Sequence, residues 1–266
     1  MLDDAVKLKD KPYDWKGTIG SGKKYELTDE IRSFRGVILH RIKALKDFGD
    51  VKKGELGGWI ESEKNLSHDG TCWIYNDACV CDDAFVGDNA RVANSAKIFG
   101  EARVYGCAWA YEHAKVYNNA LIFDKARVHG GATICGNAQI CDEAEVRGIS
   151  CITDGAKIYG HSCIYGCSQI YGWAKVCNAN IYGDARIDSN ALINNTGDYA
   201  VITGFGSGFR STTFFKCEDG DINVCCGCFH GSIADFKKQV RKTHGHNKYA
   251  KEYLYIIKLI KRHFKK

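Results

Sequence analysis

The chain has 266 residues, 45% of them apolar and 26% charged, with a formal net charge of +5, which suits one large or two modest globular domains. No charged-then-apolar leader opens it and no apolar run approaches bilayer-spanning length, so a cytoplasmic protein without a membrane partner is expected. The charge is local: residues 73–191 carry 10 Lys/Arg against 13 Asp/Glu, whereas 203–266 carry 13 against 5. The fourteen cysteines invite a disulfide framework, but a chain of this length without a secretory leader is expected to keep them reduced.

Residues 1–23 are polar and mixed in charge, and read as a flexible arm. From Lys24 the style changes, and Val37 to Ala44 alternates as one long strand would. Gly57 and Gly58 before Trp59 read as a turn into a further strand. Residues 24–72 are therefore expected to form an N-terminal β cap, because an open end of any stacked-strand structure exposes unpaired backbone and needs a cover.

From Trp73 to Ala191 a six-residue phrase repeats: WIYNDA, CVCDDA, FVGDNA, RVANSA and onward to RIDSNA. Twenty units follow one another, one of which (KVCNA, 175–179) is a residue short. The second position is Ile or Val in nineteen of the twenty, Ala110 being the exception, and the sixth is always Ala or Ser. The fourth or fifth position is usually Gly, Asn or Asp. A helix would smear two fixed apolar positions of a six-residue period around its cylinder. A short strand and a bend satisfy it, with Ala and Ile/Val on one face and the first and third positions on the other. Gly, Asn and Asp supply the bend because they tolerate left-handed backbone. Each unit is then one flat side of a coil, and three sides close a triangle.

This pattern resembles the hexapeptide repeat of left-handed parallel β-helices, whose coils use eighteen residues. On that resemblance the chain is mainly β, with between six and seven coils over residues 73–202. The run from Arg41 through Ala78, with DFGDVKKGELGGWIESEKNLSHDGTCWIYNDA at its heart, together with the YGNARV-like units, is similar to bacterial hexapeptide-repeat proteins of acyltransferase type. That similarity implies the fold strongly and a reaction weakly, since one fold hosts many functions. Tandem units of this kind also resemble those of phage and prophage proteins, which implies a mobile-element origin.

If the chain were an acyltransferase, the resemblance implies a coenzyme A thioester as cofactor and a histidine as general base toward the acceptor. Of His113, His129 and His161, His129 is the candidate, because the third position of a unit faces outward. No long loop interrupts the repeat to build a pocket around it. The outward third positions are rich in aromatics, notably Tyr105, Tyr111, Tyr117, Phe123, Tyr159, Tyr165 and Tyr171, often beside a Lys or Arg at the first position. Stacked rings flanked by cations offer a surface for a flat ligand, a phosphate or a partner protein. The same residues also suit a plain ladder of half-exposed strands, or the interface of a homodimer or homotrimer.

After Leu192 the repeat decays. Residues 203–266 read as a small α+β module: a hairpin from Thr212–Cys217 and Asp221–Cys226, a helix capped by Ser232 with Asp235 three residues on, and a second helix from about Asn247. Its CGCF pattern resembles a module of phage-encoded proteins. Cys225, Cys226, Cys228 and His230 would be the ligands if zinc were bound, but CC and CxC spacings match tetrahedral zinc poorly, so zinc is not expected. The basic last helix gives a second, less expected route, to nucleic acid. The expected function is a non-enzymatic binding protein, an accessory factor of a phage or mobile element. It would sequester a small ligand such as a nucleotide or block a host protein, for example one of a defence pathway. Acyl-CoA-dependent acyltransfer is the alternative, and a purely structural, assembling role the third.

Overall fold

A computed structural model describes residues 22–265; the arm expected over 1–23 lies outside them except for its last two residues. Each repeat unit forms a strand of two or three residues from its first position and then turns. Every third unit returns to the same sheet: the strand Lys97–Ile98 pairs in parallel with Cys79–Val80 on one side and Lys115–Val116 on the other. The result is a three-sided parallel β-helix. Its first face holds the strands that begin at Cys79, Lys97 and so on to Arg186, its second those from Phe85 to Leu192, and its third those from Trp73 to Asn180.

The interior follows the repeat letter by letter. Second-position residues such as Ile98, Ile122 and Ile134 are fully buried, as are sixth-position alanines such as Ala96 and Ala132. Where serine replaces alanine the buried hydroxyl needs an acceptor. It finds the third-position carbonyl of its own unit, as with Ser150 to Arg147, Ser162 to Tyr159 and Ser168 to Tyr165, each 2.8 Å. The fourth position carries the bend. In every unit it has a positive φ, between 51° and 77°, and it is Gly, Asn or Asp except at Glu112 and Ser189. The acidic corners add a ladder of their own. Asp88, Asp142 and Asp154 accept the backbone N–H of Gly106, Gly160 and Gly172 one coil on, at 3.0, 2.8 and 3.0 Å. The short unit shifts the pairing from Lys157↔Lys175 to Cys163↔Asn180 without breaking any sheet.

Parallel stacking begins before the repeat does. Strand β3 (Leu56–Ile60) pairs in parallel with Cys79–Val80, and Leu66 bridges Val86 on the second face. The first face therefore has eight parallel rungs and the other two have seven each, more than the six to seven coils expected. Strands β1 (Tyr25–Phe34) and β2 (Val37–Ala44) then extend the first face as an antiparallel hairpin. Gly57 and Gly58 lie inside β3 and do not form the turn expected of them. They are glycine because the strand is pressed onto the first coil: a Cβ would stand 2.6 Å from Ile42 and Trp73 at Gly57, and 2.5 Å from Ile74 at Gly58. Trp73, Tyr25, Phe48 and Leu66 plug the end of the prism. Lys24 enters the same plug, its ammonium held by the carbonyls of Cys72 (3.0 Å) and Asp69 (3.2 Å). Burial lowers its pKa.

At the other end an antiparallel sheet of four strands, Tyr199–Ile202, Thr212–Lys216, Ile222–Cys226 and Phe229–Ser232, sits between the coil and two helices. The expected hairpin supplies its two central strands; the chain leaving the coil and the chain entering the first helix add the outer two. Alternation decides what each side covers. Phe215 and Cys225 face the last coil, while Phe214 and Val224 face helices α1 (Ile233–His244) and α2 (Lys248–His263). Both helices start where their caps predict: Ser232 accepts the N–H of Asp235 (3.1 Å), and Asn247 that of Ala250 (3.0 Å). Among the described residues no helix is long and apolar enough to cross a membrane.

Candidate functional site on the third face

The aromatic residues singled out from the sequence do not form one surface. Tyr117 and Tyr171 stand on the first face, Tyr105, Phe123 and Tyr159 on the second, and Tyr111 and Tyr165 on the third. The first face is capped at both ends: Phe34 and Arg35 of the hairpin cover Phe99, which stacks on Tyr117 at 4.8 Å, and Tyr171 meets Cys225 of the terminal sheet. The second face closes on itself. Tyr105 stacks on Phe123 at 5.2 Å, and burial pushes the Tyr105 and Tyr159 hydroxyls and the Cys141 thiol each up to about 12. These two columns are packed ladders.

The third face differs. Trp109 stands at a first position, 43% exposed, with the Arg91 guanidinium 5.2 Å from its ring on one side and Arg127 pairing beside it on the other. Arg91 is held at 3.0 Å by Asp50 of the N-terminal segment, which also accepts the Tyr75 hydroxyl at 2.9 Å. At the neighbouring third positions Tyr111 stacks on His129, with ring centres 4.5 Å apart and planes within 6°. Further along, the Arg147 guanidinium lies 4.9 Å from the centre of the Tyr165 ring.

Carboxylates bracket His129. Its Nε2 is 3.3 Å from Glu145 and its Nδ1 3.8 Å from Glu112. Glu145 also faces Arg147 at 3.2 Å and Arg127 at 3.7 Å, so one carboxylate ties the histidine to both guanidinium groups. Beside this network, at the corner where the second face turns into the third, a shallow groove of about 350 Å³ is lined by Cys107, Trp109, Lys125, Arg127 and Glu143. A second groove, of about 510 Å³, continues along the same corner past Asp124, Asp142, His161 and Asn178 and shares Lys125 and Glu143 with the first. Lys125 bonds Glu143 at 3.0 Å, and His161 approaches the other oxygen of Glu143 at 3.2 Å.

The sequence candidates Tyr111, His129 and Tyr165 thus share a face with Trp109, Arg127, Glu112 and Glu145, with Lys125 at its edge, none of which is among the site residues expected from the sequence. The signal is present in the first-position column of that face beyond the buried Trp73: Arg91, Trp109, Arg127, Glu145. A ring set among charges at a position that points outward does not arise from core packing.

The four residues that zinc would need, Cys225, Cys226, Cys228 and His230, do not converge on one point. Cys225 and Cys226 are consecutive strand residues and point to opposite sides, Cys225 Sγ 3.7 Å from the Tyr171 hydroxyl and Cys226 Sγ 3.7 Å from that of Tyr253. Cys228 is exposed in the turn, and His230 projects outward with its nearest carboxylate, Asp188, at 3.9 Å. Among the described residues, Asp124, Cys141 and Asp142 do bring three ligand atoms within 4.8 Å of one another. Their chemistry suits a corner better than a metal: Asp142 already accepts the Gly160 N–H, and Cys141 is held as a protonated thiol by burial. All fourteen cysteines are unpaired.

No family model matches the chain. Over 62 residues, 20% of this chain, it is 42% identical to a protein of Escherichia coli (strain K12) named "Uncharacterized acetyltransferase YdcK". The aligned stretch spans about a fifth (19%) of that relative's length. The chain is thus similar to an acetyltransferase-named protein over that stretch alone.

Proposed function

We propose that this protein is a binding β-helix whose working surface is the corner groove of the third face. Its ligand is a flat, ring-bearing anion of nucleotide type. The observation that carries this reading is the lining of the groove: an exposed indole, Trp109, beside the cations Lys125 and Arg127. An indole face takes a planar ring by stacking, and the two cations lie where attached phosphates would sit. The groove is open and shallow, which suits capture better than the water-excluded, preorganised cavity that most catalysis requires. The other flat faces remain available for assembly into a dimer or trimer. The resemblance of the terminal module supports a phage or mobile element as the setting, where capture of a ligand or of a host protein would itself be the activity.

Acyl transfer is the second reading, favoured by the bracketed His129 and the acetyltransferase-named relative. In it, Nε2 of His129 accepts the proton of an acceptor hydroxyl or amine as that group attacks the thioester carbonyl. The sulfur leaves and takes the proton, releasing the free thiol of coenzyme A. Glu112 would fix the ring through Nδ1. For this, Glu145 must swing away from Nε2, because in the present geometry both ring nitrogens face carboxylates.

Isothermal titration with ADP and with coenzyme A, followed by an assay of thiol release from acetyl-coenzyme A, separates the two. Capture predicts binding of both compounds through their shared adenosine phosphate, weakened about tenfold by Trp109→Ala, with no thiol release. Thiol release that depends on an acceptor and disappears in His129→Asn would establish the enzyme instead. If neither compound binds, the groove is not a nucleotide site.

A further inference from the structure

The terminal module carries a second surface, remote in sequence from the groove just described. Helices α1 and α2 pack through Phe236, Val240, Tyr253, Ile257 and Ile260, and leave between them a groove of about 550 Å³. Its floor is Leu254 and Ile257; its walls are Lys237 and Arg241 from α1, Lys258, Lys261 and Arg262 from α2, and Lys265 just beyond the end of α2. Six cations thus converge on one concavity whose lining includes no carboxylate. Among the described residues none of the six makes an ion pair or a side-chain hydrogen bond. The two acidic residues of these helices are engaged elsewhere, Asp235 with Ser232 and Lys238, and Glu252 with the N–H of Gly206.

Convergence of like charge is unfavourable in the free protein and is relieved only by an anion. The spacing follows the helices: Lys237 and Arg241 are one turn apart on α1, and Lys258, Lys261 and Arg262 span about one turn, roughly 6 Å, of α2, with Lys265 following just past its end. Two rails of cations on either side of a furrow match a chain of phosphates, which repeats its charge at every residue. Outside the furrow, one turn from Lys258, Tyr255 is 74% exposed and stands as a platform for an unstacked base. A flat anionic membrane would meet cations on a convex face, whereas these line a concave one.

We propose that the α1–α2 groove binds the sugar–phosphate backbone of single-stranded nucleic acid, without reading base sequence. Contact is made by phosphate to Lys and Arg, and binding is therefore steeply salt-dependent. Each phosphate neutralised on a single strand contributes about −0.7 to the slope of log affinity against log salt, so engagement of most of the six cations gives a slope of roughly −3 to −4.

The test is fluorescence anisotropy of the full chain with a labelled oligothymidylate of roughly 20 nucleotides, from about 50 to 200 mM salt. The groove variant is Arg241→Glu/Lys258→Glu. The control is Lys238→Glu/Lys242→Glu, which makes the same change of net charge on α1 outside the groove. Both are surface changes, and circular dichroism verifies their folding. The groove variant is expected to lose affinity more than about tenfold and to flatten the salt slope, while the control loses less than about threefold. Equal losses in the two variants, or no binding by the wild type at the lowest salt, would overturn the proposal. So would displacement of the oligonucleotide by phosphatidylserine vesicles or polyglutamate at matched charge, which would assign the groove to a membrane or to an acidic protein.

Discussion

The coil and the terminal module use the same elements to opposite ends. In the coil, inner residues are nearly uniform and outer ones vary, so each rung packs only on its neighbours and every face has the same interior. In the module, one four-stranded sheet serves two different partners, the last coil through Phe215 and Cys225 and the helices through Phe214 and Val224. The consequence is that the coil's function resides in whichever face its outer letters make distinctive, whereas the module's resides in the charge left on its helices.

Core truncation should show the contrast most strongly. Phe214→Ala removes the ring that joins sheet and helices and is expected to cost about 3–5 kcal/mol, felt across the module. Ile134→Ala, in mid-coil, is expected to cost about 2–5 kcal/mol, confined to adjacent rungs. Hydrogen exchange resolves the two: loss of protection throughout α1 and α2 in the first, and only in the rungs around Thr133–Ile134 in the second. A uniform loss across the coil in the second variant would show that the rungs do not act locally.

Removing one unit, residues 121–126, sharpens the comparison further. Every unit presents Ile or Val and Ala inward, so the stack is expected to re-close with little loss beyond one rung. The later units, however, move round by one face, and Arg127 and His129 no longer stand beside Trp109 and Tyr111. Cooperative melting should therefore survive while binding at the groove is lost. Retention of binding in this variant would remove the groove from the account.

Smaller effects are expected at the corners. Asp154 sits at φ 57° and accepts the N–H of Gly172 at 3.0 Å. Asp154→Ala loses that acceptor and leaves a side chain less suited to left-handed backbone, for about 1 kcal/mol in denaturant unfolding. Asp198, at the exit from the coil, gives a pH signature. Burial alone would raise its pKa, but hydrogen bonds from Lys216 (2.7 Å) and the backbone N–H groups of Asn194 and Asn195 (3.0 and 3.2 Å) outweigh it and hold the carboxyl below its usual range. A depressed carboxylate stabilises the fold above its unfolded pKa of about 3.9, and that contribution is lost as the pH falls through the lower folded value. Asp198→Asn should flatten the decline of melting temperature over that range.

The coil was legible because its period is a direct record of backbone geometry: bend, inward pair and outward pair recur in the letters themselves. Its beginning was less so. Its second-position residues are Ile60, Leu66 and Ile74, so the stretch from Leu66 to Ile74 is two residues longer than a repeat unit, and the first coil reads as part of the cap. Gly57 and Gly58 were misread for a related reason: a glycine required by a neighbour's bulk looks the same in sequence as one required by a turn. The aromatic columns were visible, but not which would be covered, since the hairpin and the terminal sheet that close the first face come from distant parts of the chain. Trp109 is harder to find from the sequence because its exposed ring lies at a first position, whereas the aromatic columns lie at third positions. The convergence of Lys237 and Arg241 on α2 depends on how two helices pack, which charge counting alone does not convey.

Native mass spectrometry, comparing the wild type with Trp109→Ala/Arg127→Ala and with ADP added to each, tests the central claim most directly. The wild type should carry a small ring-bearing anion from purification or take up ADP, and the double variant should do neither while keeping the same oligomeric state. Equal uptake by both proteins, or none by either, would contradict the assignment of the third face as the binding surface.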